Sequence, residues 1–459
     1  VKNRTVGFFL ALLACVPLLV FHASGSHLLM DTDTSFLISK LDQYHNPWRW
    51  FTHDWPLENH FYRPISTLFF ELDNRLHPGN NDAFGFTNSA ICALATMTLY
   101  WFLCEVRRSI PVAVGGTWLF MSWSLNGWFF GKWWMNVISL VPIALMIVIL
   151  VRMIAEKKFR WSALFTGLGG FFVWSELTQT MPSLSDHTMY WLPGRTATSM
   201  TIFALIALAS YVRFERLGAS SLPAKEPSPL DPPATRSSNQ RDEPRNAWGR
   251  FALSCVATVM ALGAYEQAVM IPALIFILGI WLRISGLQTR FAIQIIFWGI
   301  LVTYIIYRVQ IIPVQPSGYQ KQQFRHGPGL YIDILSYIMP GIFGLTSSVS
   351  AIMTGFLVVM TDTFWASVGS FVANASAWIS IRKRMLKPAI AMSLALFAYL
   401  PMAFLKQFGH YHYFPAAMFA LFVICLFEAY WQEMVKAISP SSIQAPKRTE
   451  RAPGSLPRI

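Results

Sequence analysis

Apolar positions along this chain gather into runs of membrane length separated by short polar or basic stretches. They do not alternate at the period of a half-buried strand. One helical crossing of a bilayer needs about 18 or more apolar residues. That criterion predicts spans at 6–22, 87–106, 110–125, 137–154, 162–176 and 196–213, and again at 250–265, 268–284, 291–312, 353–380, 388–405 and 414–433. The expected fold is an all-α integral membrane protein with about twelve transmembrane helices, two of the shorter runs being re-entrant candidates.

The polar intervals are unequal. Long ones at 23–86, 176–195 and 313–350 fall on one face of the expected topology. Within the first outer loop, Pro64–Leu76 sets Ile65, Leu68, Phe69, Leu72 and Leu76 at helical spacing, with Glu71, Asp73 and Asn74 elsewhere on the circumference. This pattern predicts an interfacial helix lying flat. On the opposite face, Ala219–Asn246 is dense in Pro, Ser, Arg and Glu, as expected of a disordered linker. The organisation is then a first membrane half, 1–213, which carries the outer loop 23–86, and a cytoplasmic linker, 214–249. A second membrane half, 250–435, and a basic cytoplasmic tail, 436–459, follow.

Composition agrees with this reading. Of 459 residues, 54% are hydrophobic and only 13% charged, which excludes an ordinary soluble domain. With the N-terminus inside, the outer face keeps only Lys40, Arg49, Arg63, Arg75, Lys132, Arg195, Arg308, Lys321, Arg325 and Lys406 of the 36 basic residues. Cytoplasmic loops hold the excess of positive charge, so both termini are expected inside. The net charge of +13 therefore reads as topology and attraction to anionic membrane lipids, with no nucleic-acid partner. The cysteines, Cys15, Cys92, Cys104, Cys255 and Cys425, all fall in predicted spans and are expected to act as small hydrophobes. Lys2 and Arg4 before Val6–Val20, with Ala23-Ser24-Gly25 after, have the pattern of a signal peptide; the segment is read as an uncleaved first helix.

Candidate chemistry concentrates on the outer face. Asp31 and Asp33 stand just past the first span, where the plain reading is a solvated or helix-capping acid and the sharper one a general base. Arg63 and Arg195 carry guanidinium groups, which stay protonated at any working pH; Arg63 before Pro64 suits an anchor for the interfacial helix. Glu266 lies at an outer turn between two spans. The aromatic group Trp48, Trp50, Phe51, Trp55, Phe61 and Tyr62 reads first as an interfacial belt and second as a sugar-stacking platform. His53, His60 and Asp54, or His410 with His412, match no ligand spacing such as His-Glu-x-x-His. A divalent metal is the lesser alternative, and no metal ligands or certain cofactor are assigned.

Six short motifs follow in order: Asp31-Thr32-Asp33, Tyr62-Arg63-Pro64, Trp191-Leu192-Pro193-Gly194-Arg195, Tyr265-Glu266-Gln267 through Pro272, Tyr307-Arg308, and Tyr411-His412-Tyr413-Phe414-Pro415. Together they resemble the GT-C superfamily of membrane glycosyltransferases, nearest to protein O-mannosyltransferases with tetratricopeptide repeats and their bacterial relatives. The resemblance covers roughly 25–415, motif order being its strongest part; the repeat domain is absent. It implies a lipid-phosphate-linked sugar donor on a polyprenyl carrier and a protein, lipid or glycan acceptor. Transfer is expected on the outer face of a bacterial inner membrane.

Carried over residue by residue, the family's acidic pair falls on Asp31 and Asp33. Thr32 intervenes where the family has adjacent acids, and Asp33 better fits the apolar phase that follows. Arg63 and Arg195 take the phosphate, and Tyr62, Trp191, Glu266, Arg308, Tyr411 and Tyr413 are substrate-binding candidates. Two positions depart from the family. Asp186-His187-Thr188 stands where a Glu precedes the Gly-Arg, and His410 replaces the arginine of an Arg-Tyr-x-Tyr motif, so that carrier binding there would depend on pH. The alternative is a non-catalytic GT-C-like subunit packed into a larger membrane complex. A transporter, which would need paired intramembrane charges and two matching halves, comes third.

Overall fold

The computed structural model describes residues 2–20, 31–44, 46–125, 188–220, 243–325, 386–406 and 408–438, with isolated positions 147, 151, 184, 327, 330, 334 and 384. Its helices are α1 (Lys2–Val20), α2 (Thr32–Tyr44), α3 (Pro64–Leu76), α4 (Asn81–Arg107), α5 (Ile110–Ser124) and α6 (Arg195–Ser220). They continue with α7 (Glu243–Leu262), α8 (Ile271–Ile284), α9 (Ile295–Ile311), α10 (Gly318–Gln323), α11 (Leu386–Ala403) and α12 (Tyr413–Ile438). Among the described residues the sole β pairing is an isolated bridge between Phe324 and Leu405.

Six helical stretches among the described residues are long and apolar enough to cross a membrane: Asn81–Arg107, Leu192–Gly218, Glu266–Ile284, Phe291–Ile311, Leu386–Ala403 and Gly409–Gln432. Arg4–Val20 and Ala247–Leu262 are apolar but shorter. The all-α expectation holds in this coarser form. The spans predicted at 137–154, 162–176 and 353–380 lie essentially outside the described residues, as do most of the linker and nearly all of the tail.

Burial sorts the spans. In Leu192–Gly218 and Gly409–Gln432, 83% of the apolar window is buried, against 17% in Phe291–Ile311, so α6 and α12 form the centre and α9 the rim. A helix that is hydrophobic all round belongs in such a centre. Close approach uses small residues. A Cβ on Gly116 of α5 would crowd the terminal methyl groups of Ile424 on α12 and Leu103 on α4, so glycine lets these three helices pack with those side chains undisturbed.

Side-chain contacts fix the helix directions. Arg195, at the start of α6, bonds Asn88 near the start of α4, while Arg216 near its end bonds the Val106 carbonyl at 3.2 Å. These two helices run parallel. Helix α12 runs the same way, since Tyr413 packs on Phe120 while Glu428 pairs with Arg107. Helix α1 is antiparallel to them, with Gly7 beside Tyr100 and Cys15 Sγ meeting the Ala93 carbonyl. The bundle thus has two ends. One gathers residues 31–44, 46–80, 188–195, 263–270, 312–325, 404–406 and 408–412; the other gathers Arg107, Arg216, Arg283, Arg384 and Lys387.

Helix α3 forms over the predicted residues, but its polar side faces inward. Leu72 and Leu76 are 55% and 62% exposed, while Glu71, Asp73 and Asn74 are buried. This inversion suits a helix whose outer surroundings are apolar and whose polar atoms find partners in the protein. Asn74 donates to Asp42 at 2.7 Å, and Ser66 donates to the Ala264 carbonyl at 2.8 Å. Ile65, one of the five apolar positions at helical spacing, is buried against Gly263, whose carbonyl accepts the Ile65 N–H at 2.9 Å.

Candidate functional site

At the loop-bearing end, six separate segments enclose a cavity of about 870 Å³. Helix α2 brings Asp31, Asp33 and Phe36 to its wall, and the following loop brings Trp55, Phe61 and Arg63. Tyr190 and Trp191 come from the approach to α6, and Tyr265 from the turn before α8. Tyr319 lies on α10, and His410 and Tyr411 close the far side. The sequence motifs at 31–33, 62–64, 191–195, 265–267 and 410–413 thus each contribute at least one residue to the lining.

The two acids have different surroundings. Asp31 caps α2: its Oδ2 accepts the Thr34 N–H at 3.2 Å and the Trp191 indole N–H at 3.1 Å. Asp33, in the first turn, takes no hydrogen bond among the described residues. Its partial removal from water, then the Asp31 charge beside it, raise its pKa above the ordinary carboxylate value. Of the pair, Asp33 is the acid with an uncommitted carboxylate and a shifted proton affinity.

Arg63 forms a cationic wall that is already half engaged. Its Nε lies 2.9 Å and its Nη2 2.8 Å from Glu266 Oε2, and Nη1 has no hydrogen bond among the described residues. The guanidinium stacks among Phe61, Tyr265 and Trp55 at 4.2, 4.5 and 4.6 Å. Burial works against its charge, but Glu266 and Tyr265 outweigh that and hold its pKa above the ordinary value. Glu266 therefore acts on the cavity through Arg63.

A clasp between distant segments borders the cavity. The His60 carbonyl accepts from Arg308 and from Gln320, both at 3.1 Å, and Ser317 donates to the Asn59 carbonyl at 3.1 Å. Glu58 and His60 take positive φ values of 51° and 64°. Such backbone persists where its surroundings fix it, and here Asp54 accepts the His60 N–H at 2.8 Å. Ser317 and Gln320 form a capping box on α10, which carries Tyr319 to the cavity. On its other side this segment joins 404–406, with Arg325 N–H donating to the Phe404 carbonyl and Lys406 N–H to that of Gln323, both at 2.9 Å.

Other candidates sit elsewhere. Arg195 is fully buried away from the cavity lining, donating to Asn88 at 2.6 Å, to Asp73 at 2.8 Å and to the Phe84 carbonyl at 3.3 Å. Tyr62 donates to the Phe51 carbonyl at 3.0 Å, and its ring lies between Tyr304 and Tyr307. Arg308 serves the clasp, and Tyr413 is buried against Phe120. Asp186 and His187 lie outside the described residues. Among the described residues, no group of three or more His, Cys, Asp or Glu is placed to hold a metal.

Sequence reasoning missed Asp73, Tyr190, Tyr319 and Phe408. The Ser317-x-x-Gln320 spacing, a helix-start signal, is the local cue that could have found Tyr319. Nothing local marks Tyr190 or Phe408 as cavity residues, because their role comes from tertiary approach. No family model, curated protein or solved structure matches this chain.

Proposed function

We propose that the chain is a membrane glycosyltransferase of the GT-C kind, moving a sugar from a polyprenyl-phosphate carrier to an acceptor at the outer face of a bacterial inner membrane. The observation that carries this reading is the 870 Å³ cavity, where an uncommitted carboxylate, a guanidinium and many aromatic rings converge from segments far apart in sequence. Large aromatic surfaces with a few polar groups suit a sugar. The exposed Leu72 and Leu76 on α3 support a bilayer close to the site.

In the proposed reaction the acceptor hydroxyl gives its proton to Asp33 as its oxygen attacks the anomeric carbon of the sugar. The bond from that carbon to the carrier phosphate oxygen breaks with inversion, and polyprenyl phosphate leaves. Arg63, through Nη1, takes up the charge on the departing phosphate. Glu266 and the stacked rings hold the guanidinium ready, so little reorganisation accompanies the step.

The full twelve-span topology is part of this proposal. Helix α5 ends and α6 begins at the cavity end, as the pair of spans predicted at 137–154 and 162–176 requires. Helix α9 ends at the cavity and α11 begins at the other end, as the single span predicted at 353–380 requires. With Arg107, Arg216, Arg384 and Lys387 at the end away from the cavity, that end and both termini are cytoplasmic.

Reconstitution in liposomes with radiolabelled hexosyl-phosphoryl-polyprenol tests the activity. Label is expected to pass from lipid to an acceptor fraction with inverted anomeric configuration. An inert protein that purifies with stoichiometric partners would replace the enzyme reading with that of a non-catalytic subunit. That second reading is favoured by one observation: Arg195 is committed to Asp73 rather than to the cavity.

The acid limb of the pH profile offers a finer check. A base must be ionised, so the rate falls as pH drops through the raised pKa of Asp33. In Asp31→Asn the cap survives, since Asn caps as well as Asp, while the neighbouring charge disappears. The limb in kcat/KM is expected to move to lower pH; an unmoved limb excludes Asp33 as the titrating base.

A further inference from the structure

A second cavity, of about 250 Å³, lies at the opposite end of the bundle. Helix α12 separates the two sites: from Tyr413 to Glu428 its axis covers roughly 20–25 Å. The second cavity is built from the end of α4 with Arg107, the end of α8 with Ile284, the start of α11 with Lys387 and Pro388, and α12 with Glu428 and Gln432; Arg384 completes it.

The charge balance favours an anion. Among the described lining residues, three cationic side chains, Arg107, Arg384 and Lys387, stand against one carboxylate, Glu428. Glu428 pairs with Arg107 and also accepts from Gln432 at 3.3 Å, so its charge is spoken for. Arg107 is 9% exposed, and its buried Nε has no hydrogen-bond partner among the described residues, an arrangement that leaves one donor for a ligand. Arg384 donates to Gln432 at 2.5 Å, and both residues line the cavity. The start of α11 adds the partial positive charge of a helix N-terminus. The space holds several waters at about 30 Å³ each, enough for a tetrahedral anion and part of its substituent.

We propose that this cavity binds a phosphoryl group, Arg384 and Lys387 supplying the grip and Arg107 the floor. A phospholipid headgroup and a soluble phosphate share that chemistry. A basic pocket between transmembrane helices at the positively charged end is the setting in which lipid phosphates are held. The site is independent of the glycosyltransferase reading, because none of its residues lines the large cavity.

The test uses the full-length protein in a zwitterionic detergent, titrated in separate arms with short-chain phosphatidylglycerol and with inorganic phosphate while thermal unfolding is followed. The double variant Arg384→Gln with Lys387→Gln removes the grip and keeps the structural Arg107–Glu428 pair. Arg250→Gln with Arg283→Gln removes equal charge at the same end but outside the cavity. Ligand stabilisation is expected in the parent and in the second variant, with binding about tenfold weaker in the first. Stabilisation by the lipid alone identifies a headgroup site, and stabilisation by inorganic phosphate with the same sensitivity identifies a soluble phosphoryl ligand. Equal weakening in both variants, or no stabilisation by either probe, overturns the proposal.

Discussion

Asp33→Asn is expected to lower sugar transfer by about 10²–10⁴-fold, the usual contribution of a positioned general base, while the protein folds normally. The side chain keeps its size, and no hydrogen bond among the described residues is lost. Stability should move the other way. A carboxyl whose folded pKa is raised contributes stability below its unfolded pKa and loses that contribution as pH rises through the folded one. At neutral pH ionised Asp33 therefore costs the fold a little, and the Asn variant should melt slightly higher. The measurements are transfer of labelled hexose from polyprenyl phosphate and a melting curve on the same sample. Full activity in Asp33→Asn, with Asp31→Asn also introduced, excludes both acids as the base. A lowered melting temperature would make Asp33 a structural group instead.

The second large effect concerns Arg195. Its guanidinium is buried with Asp73, and removing one partner of such a pair strands the other, which costs about 3–5 kcal/mol. Asp73→Leu alone is thus expected to unfold the protein at much milder denaturant or temperature. Arg195→Met together with Asp73→Leu should recover a good part of the loss, since two apolar groups replace two buried charges. Chemical denaturation in detergent reads both effects. If Arg195→Met instead keeps its stability and loses affinity for the lipid-linked sugar, the guanidinium belongs to substrate binding, as the motif order first implied.

These two residues also mark how much could be read from the chain. The place of Asp33 in the cavity lining was legible because it stands just past an apolar run, which is a property of local sequence. The helix at Pro64–Leu76 was legible for the same reason. Arg195 was not, because whether an arginine meets substrate or an internal carboxylate depends on which face of a distant helix turns inward. Asp73 lay on the polar circumference of α3, and the usual rule that polar faces meet water put it outside. Beside lipid that rule reverses. The six stretches long and apolar enough to cross a membrane were visible as runs of apolar residues, whereas the clasp at His60 depends on backbone carbonyls, which carry no side-chain signature.

The large cavity has no single owner along the chain. Helices up to α6 and their loops contribute Asp31, Asp33, Arg63 and Trp191, and the chain from α7 onward contributes Tyr265, Tyr319, His410 and Tyr411. Two polypeptides severed between residues 220 and 243 would each carry an incomplete vestibule, and the proposed sugar transfer would return only by complementation between them. Substitutions hundreds of positions apart should then behave as neighbours, with effects that fail to add.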